Sequence, residues 1–158
     1  MKSLGIDIGT TSICVAVYES ENETLPFVTS RKNSFISENF EQDPELIIDN
    51  VMEMLLEAKT NGYGEDILDA IGVSSQMHGI LYINKEGEAV SPFYTWKDEK
   101  GKKLKEDGKS YEAYLQEVTG LSMFSGYGTV THYFLGENGL IPHAAYRMVN
   151  IGDYVAMR

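Results

Sequence analysis

Three short stretches hold residue types that could do chemistry. The first is "DIGTTS", in which an apolar run stops at Asp7 and Gly9, Thr10, Thr11 and Ser12 follow. Clustered backbone N–H groups, a glycine that permits close approach and hydroxyls that add donors are the parts of a phosphate-binding loop. The P-loop spacing is absent, and an apolar strand pattern follows where a P-loop or a dinucleotide fingerprint needs a helix. An ordinary hairpin turn would use the same residues. Asp7 adds weight, because a carboxylate ending an apolar strand costs free energy unless it is solvated, paired or near a cation. Beside a nucleotide it would hold hydrated Mg²⁺.

The second stretch is "QMHG", where Gln76, Met77 and His78 interrupt two apolar runs. His78 is able to hydrogen-bond a hydroxyl in either tautomer, or to be a satisfied turn histidine. Downstream lie Trp96, the only tryptophan, and Asp98. An aromatic face suits apolar C–H groups and a carboxylate suits hydroxyls; core packing for Trp96 and a helix cap before Lys100 for Asp98 are the plainer roles. The third stretch is "SGYGTVTHYF", in which glycines flank Tyr127 and mark a loop where backbone closely approaches something. Its alternatives are a core or lid role. His132 and His143 show no metal-ligand spacing.

The elements that must position these residues follow from periodicity. Leu4, Ile6 and Ile8, then Ile13, Val15 and Val17, alternate as strands do, and Leu25 to Ser30 gives a third strand, so an antiparallel meander is expected. After a polar loop from Arg31 to Gln42, Asp43-Pro44 announces a helix that buries Ile47, Val51, Met54, Leu55 and Ala58 and ends near Gly62. Ala70 to Ser75 reads as a buried strand parallel to the first. Gly79 to Ile83 and Ala89 to Trp96 read as strands around the turn "NKEGE". Helices are expected over much of Lys100 to Val118 and Thr129 to Asn138, with the lysine-rich stretch from Lys97 to Lys109 as a solvated helix face. Arg147 to Ile151 reads as a strand and "DYVAMR" as the first turns of a helix. One α/β domain with a mixed sheet is expected.

Composition narrows the function classes. The chain has 158 residues, 42% of them apolar, enough for a packed core. The formal net charge of −11 opposes nucleic-acid backbones. No apolar run approaches a membrane span, and no secretory pattern opens the chain, so neither nucleic acid nor membrane is an expected partner. The single cysteine, Cys14, fits a cytoplasmic location.

"GIDIGTTSICVAVYE" resembles the first phosphate motif of the FGGY carbohydrate kinases, within the superfamily of actin, hexokinase and Hsp70. "IGVSSQMHGILYINKEGEAVSPFYTWKDEKG" is similar to that family's sugar-site region, and the two motifs stand in the family's order and spacing. "FSGYGTVTHYF" and "IGDYVAMR" look most like sedoheptulokinase-type members. Two positions depart from the pattern: Ser75 stands where glycine often precedes the glutamine, and Lys97 where asparagine or glutamine commonly separates tryptophan from aspartate.

The resemblance implies a ribonuclease H-like (actin-like ATPase) α/β domain that starts with an antiparallel three-stranded meander. Residues 1–158 would be the incomplete first domain of a longer kinase whose second domain is absent. The implied reaction is ATP-dependent phosphorylation of a sugar hydroxyl, with a ketose such as xylulose or sedoheptulose as acceptor. Alternatives are a glycerol or gluconate kinase, or a non-catalytic actin-like nucleotide-binding or assembly protein. ATP phosphates and Mg²⁺ would meet Asp7, Gly9, Thr10, Thr11 and Ser12, with Asp7 holding the metal indirectly. The sugar would meet Gln76, Met77, His78, Trp96, Asp98 and Tyr127. The catalytic base is expected beyond residue 158, so these residues alone should be inactive. Exposed apolar surface where further chain would pack is expected to favour self-association, such as a homodimer.

Overall fold

The computed structural model describes residues 1–158. The chain forms two compact units. Unit 1 comprises residues 1–34, 44–76 and 152–158, and unit 2 residues 35–43 and 77–151.

Unit 1 is built on a four-stranded sheet. Strands β1 (Lys2–Ile8), β2 (Ser12–Glu19) and β3 (Thr24–Lys32) form the expected antiparallel meander, and β5 (Ala70–Ser75) runs parallel to β1, giving the order β3-β2-β1-β5. A strand, not a helix, follows the Gly-Thr-Thr loop. Alternation sends Leu4, Ile6, Ile8, Ile13, Val15 and Val17 to one buried face. Helix α1 (Pro44–Thr60) packs against β2 and β3, burying Ile47, Ile48, Val51, Met54 and Ala58. Leu55 is only half-buried, because Met54 and Ala58 take the inner face. Gly62, at φ +90°, turns the chain out of the helix.

Strand β5 departs from expectation. It is not buried: Ile71 is 58% and Val73 38% exposed. As the last strand in the sheet order, it is paired along one side only. An apolar run records that a strand is built to be covered, without recording what covers it.

Unit 2 has no comparable sheet. Strand β4 (Glu41–Gln42) pairs with β7 (Phe93–Tyr94), and β6 (Leu81–Ile83) with β8 (Arg147–Val149), both antiparallel. The expected strands from Gly79 and Ala89 are thus shortened, with Ile80 to Tyr94 and Ile83 to Ala89 as isolated bridges. The core joins Ile80, Tyr82, Tyr94, Tyr111, Phe134 and Leu135. Tyrosine serves here because buried hydroxyls find partners: Tyr82 OH lies 2.7 Å from His132 Nδ1, and Tyr111 OH accepts from Asn138 at 2.9 Å.

The lysine-rich stretch is not a solvated helix. A single 3₁₀ turn covers Lys100–Lys102, a hairpin loop follows, and α2 (Tyr111–Thr119) starts only after its N-cap Ser110, whose hydroxyl accepts from Ala113 N–H. Helix α3 (Gly128–Glu137) follows. The last helix, α4 (Ile151–Met157), places its Tyr154 in unit 1, where the hydroxyl bonds Glu45.

Candidate active site

In unit 1 the loop between β1 and β2 closes through Gly9 N–H, which donates to Ser12 O at 2.9 Å. A Cβ on Gly9 would stand 2.8 Å from that oxygen, so contact alone requires glycine here. Asn33, at the far end of β3, holds the loop from behind. Its side chain donates to Gly9 O and its backbone N–H to Thr11 O, both at 2.9 Å. Gln76 joins the same loop: its N–H donates to Ile8 O at 2.8 Å, and its Oε1 accepts from Thr10 Oγ1 at 3.2 Å. Read from sequence with the sugar residues, Gln76 is thus a wall of the Gly-Thr-Thr loop.

Asp7 projects from the sheet face opposite the core. Cys14 and Ser74 pair with it, and Gly5, Ala16 and Gly72 adjoin it on that face. All are small, and they floor an open depression of about 430 Å³. The exposed Asp7 carboxylate has no hydrogen-bond or ion-pair partner in the chain. A lone carboxylate beside a glycine-hydroxyl loop, with room in front of it, is a donor set that fits a hydrated divalent cation and phosphate.

In unit 2, His78 sits in the left-handed region at φ +64°. Gly79 N–H donates across it to Met77 O at 2.8 Å. A two-residue hydrogen bond around a positive φ marks the strained form of the γ-turn. Such strain collects at functional sites, where surrounding structure holds it. Here the imidazole stacks on Tyr127, with centroids 4.3 Å apart. Met77 projects outward, 68% exposed.

The segment Ser125 to Gly128 ties this turn to the Trp96 turn. Ser125 Oγ donates to Asp98 O at 3.0 Å. Gly126 packs so closely on Trp96 that a Cβ would fall 1.5 Å from its carbonyl oxygen. A Cβ on Gly128 would meet His78 O at 2.8 Å. These contacts explain why glycines flank Tyr127. Trp96, Asp98 and Gly126 wall a cavity of about 440 Å³ with Phe40, Lys97 and Lys102. His78 stands beside that group through Tyr127 and is not among the cavity walls. Trp96 is 44% exposed, so it is not a core tryptophan.

Asp98 is not the N-cap of the 3₁₀ turn, a position Glu99 takes; its carboxylate instead bonds Lys100 twice. Its Oδ1 accepts from Lys100 N–H at 2.8 Å, and its Oδ2 pairs with Lys100 Nζ at 2.7 Å. Glu41 Oε1 accepts from the same ammonium at 2.8 Å, and the Tyr94 ring lies 4.6 Å from it. Burial works against the Lys100 charge, yet the bonds to Asp98 and Glu41 outweigh it and hold the ammonium above the usual lysine pKa. Lys97, one of the two departures from the family pattern, sets its ammonium 5.5–5.8 Å from the rings of Trp96, Phe35 and Phe40.

Sequence reasoning did not single out Asn33, Glu41, Phe40 or Lys100. Only Lys100 left a signal, two residues after an aspartate, the spacing of a local side-chain-to-backbone turn. The others come from sequence-distant segments, Asn33 to the Gly-Thr-Thr loop of unit 1, and Glu41 and Phe40 to the surroundings of Asp98 and Trp96 in unit 2.

Comparison with known proteins shows the family. The family model for the FGGY family of carbohydrate kinases, N-terminal domain, matches residues 2–152. The xylulose kinase of Staphylococcus xylosus is 32% identical over 111 residues, covering 67% of this chain and 22% of that protein. The gluconokinase of Bacillus subtilis (strain 168) is 28% identical over 159 residues, covering 96% of this chain and 30% of that protein. The crystal structure of gluconate kinase from Lactobacillus acidophilus superposes with a TM-score of 0.81 at 24% identity, over 99% of this chain and 32% of that one. The chain thus spans about a third or less of the length of these relatives. No helix is long and apolar enough to cross a membrane. The fold is the actin-like ATPase fold of these sugar kinases. The chain belongs to the FGGY family of carbohydrate kinases, through that family's N-terminal domain.

Proposed function

We propose that this chain is the incomplete first domain of a cytoplasmic kinase that transfers phosphate from ATP to a ketose hydroxyl, xylulose or sedoheptulose being the preferred acceptors. The strained His78 turn stacked on Tyr127 carries the proposal. Strain of this kind collects at functional sites, and the exposed imidazole is placed where a ligand can meet it. Similarity to a xylulose kinase supports the choice of sugar.

The chain's own residues would act by binding and orientation. His78 and Met77 would meet the sugar, Trp96 would offer its face to the C–H side, and Tyr127 would fix the imidazole plane. Asp98 would hold the wall through Lys100. Gly9 to Ser12 would cradle phosphate, and Asp7 would hold Mg²⁺ through water. Bound Mg²⁺-ATP supplies the phosphoryl group and neutralises charge. None of these residues is assigned as the base for the hydroxyl proton, which is expected from another part of the longer kinase.

Gluconate is the second acceptor to test. Lys97 and Lys102 line the Trp96 cavity, where a carboxylate would be welcome, and the gluconokinase similarity runs along nearly the whole chain.

The test is sugar-dependent ADP release with xylulose, sedoheptulose, gluconate and glycerol, on this chain and on the whole kinase. The whole kinase should favour a ketose, and the 158-residue chain should be silent. Asp7→Asn in the whole kinase should lower turnover at limiting Mg²⁺ and leave sugar affinity within about twofold. Its folding stability should change by less than about 0.5 kcal/mol, since the carboxylate has no partner to lose. Preference for gluconate would replace the ketose. Turnover by the short chain would overturn its incompleteness.

A further inference from the structure

A second cluster of aromatic and charged side chains lies in unit 2, apart from the walls of the Trp96 cavity. The loop from Leu104 to Ser110 is a small hairpin. Lys105 N–H donates to Lys109 O at 2.8 Å, and Gly108 N–H to Lys105 O at 3.0 Å. It delivers the Lys105 ammonium to three tyrosine rings. Nζ lies 4.7 Å from the centroid of Tyr114, 4.8 Å from Tyr111 and 5.1 Å from Tyr133. A carboxylate completes the enclosure, since Nζ donates to Glu137 Oε2 at 2.9 Å.

The rings are placed by their own helices. Tyr111 and Tyr114 are one turn apart on α2, and Tyr133 and Glu137 one turn apart on α3. Tyr114 and Tyr133 stack within 6° of parallel, 5.7 Å apart. Tyr111 is buried edge-on against Phe134 at 4.9 Å, and its hydroxyl is fixed by Asn138. The enclosure is therefore held by contacts that do not involve Lys105. Nζ also donates to Tyr133 OH at 3.3 Å, so two tyrosine rings, a phenol oxygen and a carboxylate surround the ammonium, the chemistry that recognises an alkylammonium. Guanidinium would leave most of its fork unmatched, and a metal ion would find a single carboxylate. A cavity of about 460 Å³ opens beside the rings, with Glu106, Asp107 and Glu137 as its acidic walls.

We propose that Tyr111, Tyr114, Tyr133 and Glu137 form an alkylammonium-binding site which Lys105 fills from within the chain. When the Lys105 side chain is withdrawn or removed, the site takes an alkylammonium ion from solution through the acidic cavity. The hairpin is then a plug, and its seating depends on the positive charge of one side chain. The hydrogen bonds that the ammonium donates, to Glu137 first and then to Tyr133, hold Lys105 well above the usual lysine pKa against the opposing effect of burial, so the guest is charged at any physiological pH.

The experiment removes the guest and supplies it from outside. Lys105→Ala in the 158-residue chain is titrated with n-butylammonium chloride, which replaces the lost stem and charge. Potassium chloride and n-butanol serve as controls, and the signals are tyrosine ring NMR shifts and the melting temperature. Saturable millimolar binding is expected, at least tenfold tighter than to the parent chain or to Lys105→Ala/Tyr114→Leu, with a raised melting temperature. If Lys105→Ala is unfolded alone, butylammonium must restore its far-ultraviolet circular dichroism. Equal binding by n-butanol, equal binding by the parent chain, or neither saturation nor restored folding would each overturn the site.

Discussion

The imidazole of His78 lies on the ring of Tyr127 with centroids 4.3 Å apart and planes 22° apart. It reaches that position only through a backbone at φ +64°, which costs an L-residue roughly 1–2 kcal/mol and a glycine almost nothing. His78→Gly should therefore be more stable than His78→Ala by about 1 kcal/mol in urea unfolding, although it removes more side chain. Both should weaken sugar binding by the whole kinase roughly tenfold, the loss of one buried hydrogen bond. The opposite order of stability would mean that the turn is not strained.

Gly126 offers a sharper steric test. An added methyl would occupy the space of the Trp96 carbonyl, and backbone cannot rotate away as a side chain can. Gly126→Ala should cost about 2–3 kcal/mol. It should also shift the emission of Trp96, the only tryptophan, so one fluorescence titration reads both effects.

Lys100 neutralises two carboxylates, one of them wholly buried. Lys100→Met should cost about 3 kcal/mol, because Asp98 is left without its counter-charge. Adding Asp98→Asn should recover part of that loss, since the second change removes the stranded charge. A double variant as unstable as the sum of the two single ones would show that the pair is not coupled.

Tyr82 predicts a response to alkali. Burial, and then the nearness of Tyr94, push its phenol up to about 12, whereas in an unfolded chain it titrates near ~10. Above pH ~10 the unfolded chain releases this proton and the folded chain keeps it. Stability from this group is thus whole below that pH and falls as pH rises to about 12. The fall should be on the order of 1–2 kcal/mol and absent in Tyr82→Phe, measured as the difference between the two urea-unfolding profiles.

Local patterns carried the meander and α1, because alternation at Leu4, Ile6 and Ile8 and the Asp43-Pro44 start depend on near neighbours alone. The same patterns failed where partners are remote. β5 reads as buried because Ile71 and Val73 are apolar, yet their exposure is decided by sheet order. The lysines after Asp98 read as a polar helix face because charge is usually solvated; here Lys100 has two carboxylates and Lys105 three tyrosines, contributed by other segments. The motifs at Asp7, His78 and Trp96 stood out as polar or aromatic groups breaking apolar runs. Their supports, Asn33 and Gly126, did not, because a long-range hydrogen bond or a close backbone approach has no local signature.

Asn33 has an orientational consequence for the Gly-Thr-Thr loop. It draws the Gly9 and Thr11 carbonyl oxygens toward the end of β3. In a trans peptide the N–H points opposite to the C=O, so the N–H groups of Thr10 and Ser12 are turned away from Asn33 together. Two peptide dipoles are thereby aligned, with their positive ends on one side. The hydroxyls and the glycine advertise a taste for anions, but its direction is set by an amide 24 positions down the chain that need never touch one.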